Sequence, residues 1–295
     1  MDLSLPRSFP IVKAALATAV IACAVALACS LAGCASGGTD SSSADADNTS
    51  ASTDGKTLRV AMELAYPPFE TKDDAGNPEG LAVDFIRDFG AAYGYDVQIE
   101  NTAWDGLIPS LQSDKADLVI SSMTITDERK QSVDFSDAYA MAQLAILANA
   151  DSGVASIDDL NQPGKKVAVK TGSTGDVYAT KNLTDAEIVR LADESACVTE
   201  VVQGKADGFL YDQLTIYRNH QANPDTTEAV FIPFQDAEEW GIAVKKGNTE
   251  LLDQLNAFIA QSKTDGEFDR LTEKYLADEK KAFDQYGFKW FFDFE

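Results

Sequence analysis

Short apolar runs alternate with amphipathic segments from residue 58 onward. Residues 58–62, 97–99 and 116–120 have the composition of buried strands, and helical faces lie between them. One such face carries Phe85, Ile86, Phe89 and Tyr93, with Asp84 as the expected N-cap. Asp105 is the expected cap of the next helix. Strands that alternate with helices predict a parallel sheet.

A second series of the same kind begins after residue 165. The expected strands lie at 166–169, 188–191 and 206–210, and the expected helices at 176–181, 194–203 and 213–221. Two further apolar strands, 143–148 and 239–244, have no helix directly behind them. Apolar positions at helical spacing then predict two closing helices, one with Leu251, Leu255, Phe258 and Ile259, the other with Phe268, Leu271 and Tyr275.

These patterns predict an α/β fold of two lobes, each with a parallel-type sheet, joined by two crossing hinge strands. The expected boundaries are 57–145 for the first part of lobe 1, 146–239 for lobe 2 and 240–277 for the return to lobe 1. In parallel sheets ligands bind beyond the carboxyl ends of the strands. Glu63, Trp104 and Ser121 each follow a predicted strand, so we expect them to face one crevice.

The N-terminus has the pattern of a secretory leader. Arg7 and Lys13 precede an apolar run, 14–31, that ends in Leu-Ala-Gly-Cys34. That tetrapeptide matches the bacterial lipobox, which implies a signal peptide at 1–33 and lipidation of Cys34. An uncleaved membrane anchor is the alternative. Residues 34–56 are mostly small and polar, which predicts a disordered tether.

Composition excludes several classes of function. The 295 residues include 48 acidic and 24 basic side chains, a formal net charge of -24, which argues against nucleic acid as a partner. The single histidine, His220, excludes a histidine-rich metal site, and no cofactor is predicted. The four cysteines show no metal-ligand spacing or disulfide framework. Cys197 is expected to be a small buried apolar residue.

The stretch from Ser121 to Arg129 has the character of a carboxylate receptor. It follows an apolar strand, and Thr126 has the position of a helix N-cap, so Arg129 falls in the first turn. Hydroxyls and one arginine at a strand end suit a small carboxylate. The alternative is an ordinary surface arginine.

At this point the motifs resemble those of the family 3 extracellular solute-binding proteins, the polar amino acid receptors of ABC importers. The resemblance covers residues 58 to about 276 and is strongest to the glutamine- and histidine-binding members. It rests on Tyr66-x-Pro68-Phe69-Glu70, Gly80-x-x-x-Asp84, Leu107-Ile108-Pro109-Ser110-Leu111, Met123-Thr124-Ile125-Thr126-Asp127-Glu128-Arg129 and Asp134-Phe135-Ser136. It implies a type II periplasmic-binding-protein-like fold that closes on its ligand. It also implies an extracytoplasmic, lipid-anchored monomer that works with a permease.

The resemblance implies how an amino acid backbone would be held. Arg129 would meet the α-carboxylate, with further donors from the backbone of Thr124 and from the turn at Ser173 and Thr174. Asp212 would hold the α-ammonium, together with Ser121 and Ser122. Asp212 could instead serve only as a helix N-cap.

It also implies which residues would surround the ligand's side chain. Tyr66, Phe69 and Trp104 would flank it. Glu63 stands where glutamine and cationic amino acid receptors carry an acid, and Lys170 where glutamine receptors carry a lysine. Together they favour glutamine, with arginine, lysine, histidine and cystine as alternatives. Without a ligand role, Glu63 would be a solvated strand end, Lys170 a surface lysine and Trp104 a core residue.

Two other classes of protein share this fold. A secreted cyclohexadienyl dehydratase acting on prephenate or arogenate would need a general acid, for which Glu63 is the candidate. A sensor ectodomain is less favoured, because the chain carries no second membrane segment or signalling domain.

The C-terminal segment, 278–295, is rich in aromatic residues and continues beyond the usual end of the family fold. We expect it to pack along lobe 1, at least from Phe283 to Phe288. A docking site for the permease or another chain is the alternative.

Overall fold

The computed structural model describes residues 56–286 and 289–294. The predicted signal peptide, Cys34 and all but the last residue of the predicted tether lie outside these ranges. Within them, no helix is long and apolar enough to cross a membrane.

Lobe 1 is built on a five-stranded sheet, in which one strand from near the end of the chain runs antiparallel to its two neighbours. The strand order is β4-β1-β5-β14-β6. Its strands are β1 (Lys56–Met62), β4 (Tyr95–Asn101), β5 (Leu118–Val119), β6 (Val133–Phe135) and β14 (Ala243–Lys245). β1 is parallel to β4 and β5, whereas β14 is antiparallel to β5 and β6. A small hairpin, β2 (Thr71–Lys72) and β3 (Pro78–Glu79), lies outside this sheet.

Helices cover both faces of this sheet. They are α1 (Leu81–Tyr93), α2 (Leu107–Gln112), α3 (Asp127–Lys130), α8 (Thr249–Ser262), α9 (Glu267–Tyr275) and α10 (Ala277–Tyr286). Alternate residues of β1 belong to different hydrophobic cores, because successive side chains of a strand point to opposite faces of the sheet. Leu58, Val60 and Met62 join one core, and Ala61 joins the other.

Helix α1 begins three residues before the predicted cap at Asp84. Gly80 is its N-cap and has a φ of 131°, a backbone conformation that L side chains rarely adopt. Asp84 instead lies in the first turn and accepts a hydrogen bond from the Tyr275 hydroxyl at 2.8 Å. The prediction that Asp84 caps the helix was therefore wrong.

Lobe 2 is a second five-stranded sheet, in the order β10-β9-β11-β8-β12. Its strands are β8 (Leu144–Asn149), β9 (Lys166–Lys170), β10 (Glu187–Leu191), β11 (Gly208–Asp212) and β12 (Thr227–Val230). Its helices are α4 (Ile157–Leu160), α5 (Thr174–Asn182), α6 (Glu194–Val202) and α7 (Gln213–Ala222). β9, β10 and β11 are mutually parallel, and β8 is antiparallel to β11 and β12. The two-lobed α/β fold is confirmed, and both sheets are mixed.

Two short antiparallel strands connect the lobes, β7 (Ala140–Ala142) and β13 (Glu238–Trp240). The first crossing lies earlier than the predicted 143–148, because that run belongs to β8 in the lobe 2 sheet. Likewise, the apolar run at 239–244 contains the end of β13 and the beginning of β14. We call β7 and β13 the crossing strands.

The described part of the C-terminal segment packs into lobe 1. Phe283, Trp290 and Phe291 are buried in the same core as Phe69 and Phe85. Cys197 is fully buried in lobe 2, as expected, and burial raises the pKa of its thiol to about 12.

Candidate functional site

A partly open cavity lies between the lobes, bordered by the carboxyl ends of the parallel strands and by the crossing strands. Ten of the twelve predicted ligand-binding residues line it. Those ten are Glu63, Tyr66, Trp104, Ser121, Ser122, Thr124, Arg129, Ser173, Thr174 and Asp212.

On the lobe 1 side, two strand ends are tied together. Glu63 follows β1, and its backbone N–H donates to Oγ of Ser121, two residues beyond β5, at 3.0 Å. Ser122 adopts a left-handed φ of 47°, an uncommon conformation for a residue with a side chain. Its hydroxyl donates to Oε2 of Glu70 at 3.2 Å. Burial raises the pKa of Glu70 well above its ordinary value.

Arg129 reaches back from a one-turn helix toward both lobes. The predicted N-cap is confirmed, because Oγ1 of Thr126 accepts the Arg129 backbone N–H at 3.2 Å. Nη1 donates to the carbonyl oxygen of Thr124 at 2.7 Å, and Nη2 donates to that of Gly172, in lobe 2, at 3.1 Å. The guanidinium lies 5.2 Å from the centre of the Trp104 ring. Burial lowers the pKa of Arg129, but a guanidinium remains charged in proteins.

Asp212 both caps a helix and lines the cavity. Its Oδ1 accepts the backbone N–H groups of Leu214 and Thr215 at 2.9 and 3.1 Å, which makes it the N-cap of α7. The same oxygen accepts the Tyr66 hydroxyl from lobe 1 at 2.7 Å. Burial raises the pKa of Asp212, although these hydrogen bonds oppose the rise. The N-cap and cavity-lining interpretations are therefore compatible.

Lys170 was predicted to meet the ligand, but it does not line the cavity. Its side chain is 1% exposed, and its ammonium donates to Oε2 of Glu63 and, at 2.8 Å, to Oε1 of Glu194. It also lies 5.1 Å from the centre of the Trp104 ring. Burial lowers the pKa of Lys170, but the two carboxylates outweigh that effect and raise it overall. Because its donors point at these partners, Lys170 holds Glu63 of lobe 1 beside Glu194 of lobe 2.

Phe69 also lies away from the cavity. It is fully buried and stacks behind Tyr66, with the ring centroids 5.6 Å apart. Trp240 and Phe291 pack against it from other sides, each at 5.2 Å. Phe69 therefore supports Tyr66 from the core, and the prediction that it flanks a ligand directly does not fit this geometry.

Six further residues line the cavity that the sequence analysis did not predict to bind a ligand. They are Glu70, Leu144, Glu194, Tyr211, Glu238 and Trp240. Tyr211 precedes Asp212 on β11, and its hydroxyl donates to Oε1 of Glu194 at 2.7 Å. Glu238 and Trp240 lie on a crossing strand, so their place between the lobes could have been inferred from the predicted hinge. Glu194 begins a helix after a strand end, a weaker signal of the same kind.

The balance of charge at the cavity is acidic. Among the described residues, its wall carries the carboxyl groups of Glu63, Glu70, Glu194, Asp212 and Glu238, and the guanidinium of Arg129. The raised pKa of Glu70 favours its neutral form. Arg129 faces the cavity from lobe 1, and Asp212 is one of the carboxylates that face it from lobe 2. Such a pair can bind a small molecule that carries both a carboxylate and an ammonium group.

Comparison with known proteins identifies the family. Residues 58–278 match the model of the bacterial extracellular solute-binding proteins, family 3. A probable histidine-binding protein of Neisseria gonorrhoeae is 35% identical over 78% of this chain and 86% of its own. The L-arginine-binding protein of Pseudomonas aeruginosa is 33% identical, over 79% and 90% of the two chains.

The solved structures agree. An ancestral amino acid-binding protein, described as a precursor of cyclohexadienyl dehydratase, superposes with a TM-score of 0.68 at 38% identity, over 74% of this chain and 94% of its own. This chain belongs to the family 3 extracellular solute-binding proteins.

Proposed function

We propose that this protein is the lipid-anchored, extracytoplasmic receptor of an ABC importer, that it binds one polar amino acid between its lobes, and that it delivers it to a permease. The observation that carries the proposal is the placement of Arg129 and Asp212 on opposite lobes of one cavity. In this role the protein binds its ligand without converting it.

An α-amino acid would be recognised through its zwitterionic end. Arg129 would meet the carboxylate as a planar, permanently charged donor. Asp212 would accept from the ammonium, beside the Tyr66 hydroxyl that already bonds it. Each charge-assisted hydrogen bond is worth roughly 1.5–3 kcal/mol net. Because the ligand's carboxylate and its ammonium group would be held by different lobes, binding would be coupled to closure of the cleft.

The position of Lys170 changes the preference for the ligand's side chain. Glutamine was favoured because Lys170 was expected to meet the ligand and to repel a cation. Lys170 is instead buried between Glu63 and Glu194. The two carboxylates carry two negative charges, and Lys170 neutralises one of them. This supports a cationic side chain such as that of arginine or lysine. Glutamine is the second candidate, because Lys170 offsets part of the acidity at Glu63.

Calorimetric titration of the purified protein with the twenty amino acids and cystine tests this proposal. We expect L-arginine or L-lysine to bind most tightly and aspartate and glutamate to bind weakly or not at all, through like-charge repulsion. Glutamine as the tightest ligand would favour the second candidate. Glutamate as the tightest ligand, or no binding by any amino acid, would overturn the proposal.

The dehydratase alternative predicts turnover. Prephenate has no ammonium group to pair with Asp212, whereas arogenate has one, so both should be assayed. Release of phenylpyruvate or phenylalanine at a rate that falls in a Glu63→Gln variant would favour the enzyme. Neither product is expected.

A further inference from the structure

Glu238 joins the two lobes through a single carboxylate oxygen. Its Oε2 accepts the hydroxyl of Thr124, from lobe 1, at 2.8 Å and the hydroxyl of Thr174, from lobe 2, also at 2.8 Å. Its Oε1 accepts the side-chain amide of Gln235 at 2.7 Å. Glu238 itself belongs to the crossing strand β13, where it pairs with Ala142 of β7.

These hydrogen bonds limit what the two threonines can offer to a ligand. A hydroxyl has one hydrogen to donate, and both threonine hydroxyls donate theirs to Glu238. The ligand's carboxylate would therefore be left to Arg129, to backbone N–H groups and to the hydroxyl of Ser173, which accepts the Asp176 N–H and keeps its own hydrogen. Thr124 and Thr174 are occupied by a carboxylate that belongs to the protein.

The location of Glu238 makes this contact depend on closure. The lobes are connected through β7 and β13. If the cleft opens by rotation about these strands, Thr124 and Thr174 would move apart, while Glu238, on β13, would stay near the axis. One oxygen cannot stay within hydrogen-bonding distance of both hydroxyls once they separate. At least one of the two bonds must then break.

We propose that Glu238 is an interlobe clasp, a positioning residue whose carboxylate stabilises the closed form and slows release of the ligand. The inference rests on the proposed function where it concerns ligand release, but the clasp itself can be detected without a ligand. It adds a further direct link between the lobes to those that Tyr66 makes with Asp212, Arg129 with Gly172 and Lys170 with Glu63.

Four substitutions distinguish the clasp from a general effect of charge or folding. Glu238→Ala removes both bonds. Glu238→Gln keeps an oxygen that can accept both hydroxyls, so it should rescue the effect. Thr174→Val removes only the lobe 2 bond and tests the clasp without altering β13. Glu239→Ala, at the neighbouring exposed glutamate, removes the same charge without touching either threonine.

Two measurements test the clasp in the full chain. Fluorescent labels on Asp74→Cys and Asp185→Cys, exposed positions in lobes 1 and 2, report the separation of the lobes by energy transfer. The background carries Cys23→Ser, Cys29→Ser and Cys34→Ser, and Cys197 is buried. Stopped-flow mixing with L-arginine gives the association and dissociation rates. Glu238→Ala is expected to shift the empty protein toward the open form and to raise the dissociation rate at least about tenfold, with little change in association.

The outcomes separate the clasp from the proposed function. Thr174→Val should resemble Glu238→Ala, and Glu239→Ala should resemble the wild type. Equal lobe separation in the wild type and in Glu238→Ala, or an equal effect of Glu239→Ala, would overturn the clasp. If L-arginine does not bind the wild type, the assignment of a cationic ligand fails, while the label separation still decides the clasp.

Discussion

Two cations lie over the indole ring of Trp104, and only one of them faces the cavity. Arg129 is 5.2 Å and Lys170 5.1 Å from the ring centre. Arg129 uses two N–H groups on backbone carbonyls and has others to offer. The ammonium of Lys170 is engaged by two carboxylates. The Trp104 ring therefore contacts both Arg129, which faces the cavity, and Lys170, which is paired with carboxylates of the protein.

Arg129→Ala is expected to lower amino acid affinity at least about a hundredfold. Under the proposed function, the substitution would remove two charge-assisted hydrogen bonds to the ligand's carboxylate, each worth roughly 1.5–3 kcal/mol. The melting temperature of the empty protein should change little, because Arg129 lies outside the hydrophobic cores and its loss removes only two hydrogen bonds to backbone carbonyls. Calorimetry and thermal unfolding measure the two quantities.

The control is Arg87→Ala, which removes an exposed arginine of α1 that does not line the cavity. It should bind like the wild type. Wild-type affinity in Arg129→Ala would refute the assignment of Arg129 to the carboxylate.

Local chemistry predicted two of the helix caps, although the cap expected at Asp84 is Gly80 instead and the one expected at Asp105 is Gly106. Thr126 caps α3 and Asp212 caps α7 through bonds to residues two or three positions away, which the sequence displays directly. The partners of Lys170 are Glu63 and Glu194, which are separated from it by 107 and 24 positions. Its burial between them follows from tertiary packing and could not be read from the residues around it.

At the scale of elements, the C-terminal segment supports the crossing strands from behind. The carbonyl oxygen of Phe291 accepts the backbone N–H of Met141, on β7, at 2.6 Å. Its ring packs against Trp240, on β13, with centroids 5.6 Å apart. Trp240 in turn contacts Tyr66 at 5.9 Å. This segment therefore braces the hinge and the aromatic wall of the cavity together.

Phe291→Ala should cost about 3–5 kcal/mol in the free energy of unfolding, because it empties a fully buried position. It should also weaken amino acid binding, since it removes the support of Trp240 and Phe69. Denaturant unfolding and calorimetry would measure both effects.

Phe294→Ala is the matched control, at a half-buried ring whose described contacts include Phe268 and Lys263. It should have a smaller effect on stability and none on binding. If Phe291→Ala leaves stability and binding intact but abolishes transport, the segment is instead a docking surface for the permease.

The type of nearly every element followed from periodicity, but some boundaries did not. The run at 140–149 reads as apolar strand throughout, and Gln143 alone interrupts it. In the fold, the Gln143 backbone N–H donates to the side chain of Gln213 at 2.7 Å, at the point where β7 ends and β8 begins. A single polar residue within an apolar run carries too little signal to divide a hinge from the strand that follows it.

For the whole molecule, the net charge of -24 bears on how the protein would stay at a membrane. An acidic surface is repelled by anionic lipid headgroups, so retention must come from acyl chains or an apolar span. Cys34→Ser is expected to release the protein from the membrane fraction and to abolish incorporation of labelled palmitate, with amino acid binding unchanged.

Cys197→Ser serves as the control, because that thiol is buried within lobe 2 and cannot be acylated in the folded protein. It should remain with the membrane. Persistence of Cys34→Ser in a salt-washed membrane fraction would instead indicate an uncleaved anchor.

The path of the chain through the crossing strands also determines the order in which the lobes can be completed during synthesis. All five strands of lobe 2 lie between Leu144 and Val230. Lobe 1 begins earlier, at Lys56, but β14, which separates β5 from β6, does not emerge until Ala243. The lobe that starts first is therefore finished last, and for the intervening residues its sheet has an open gap between β5 and β6. Exposed strand edges invite pairing with other chains, so the nascent protein is most vulnerable to aggregation in that interval.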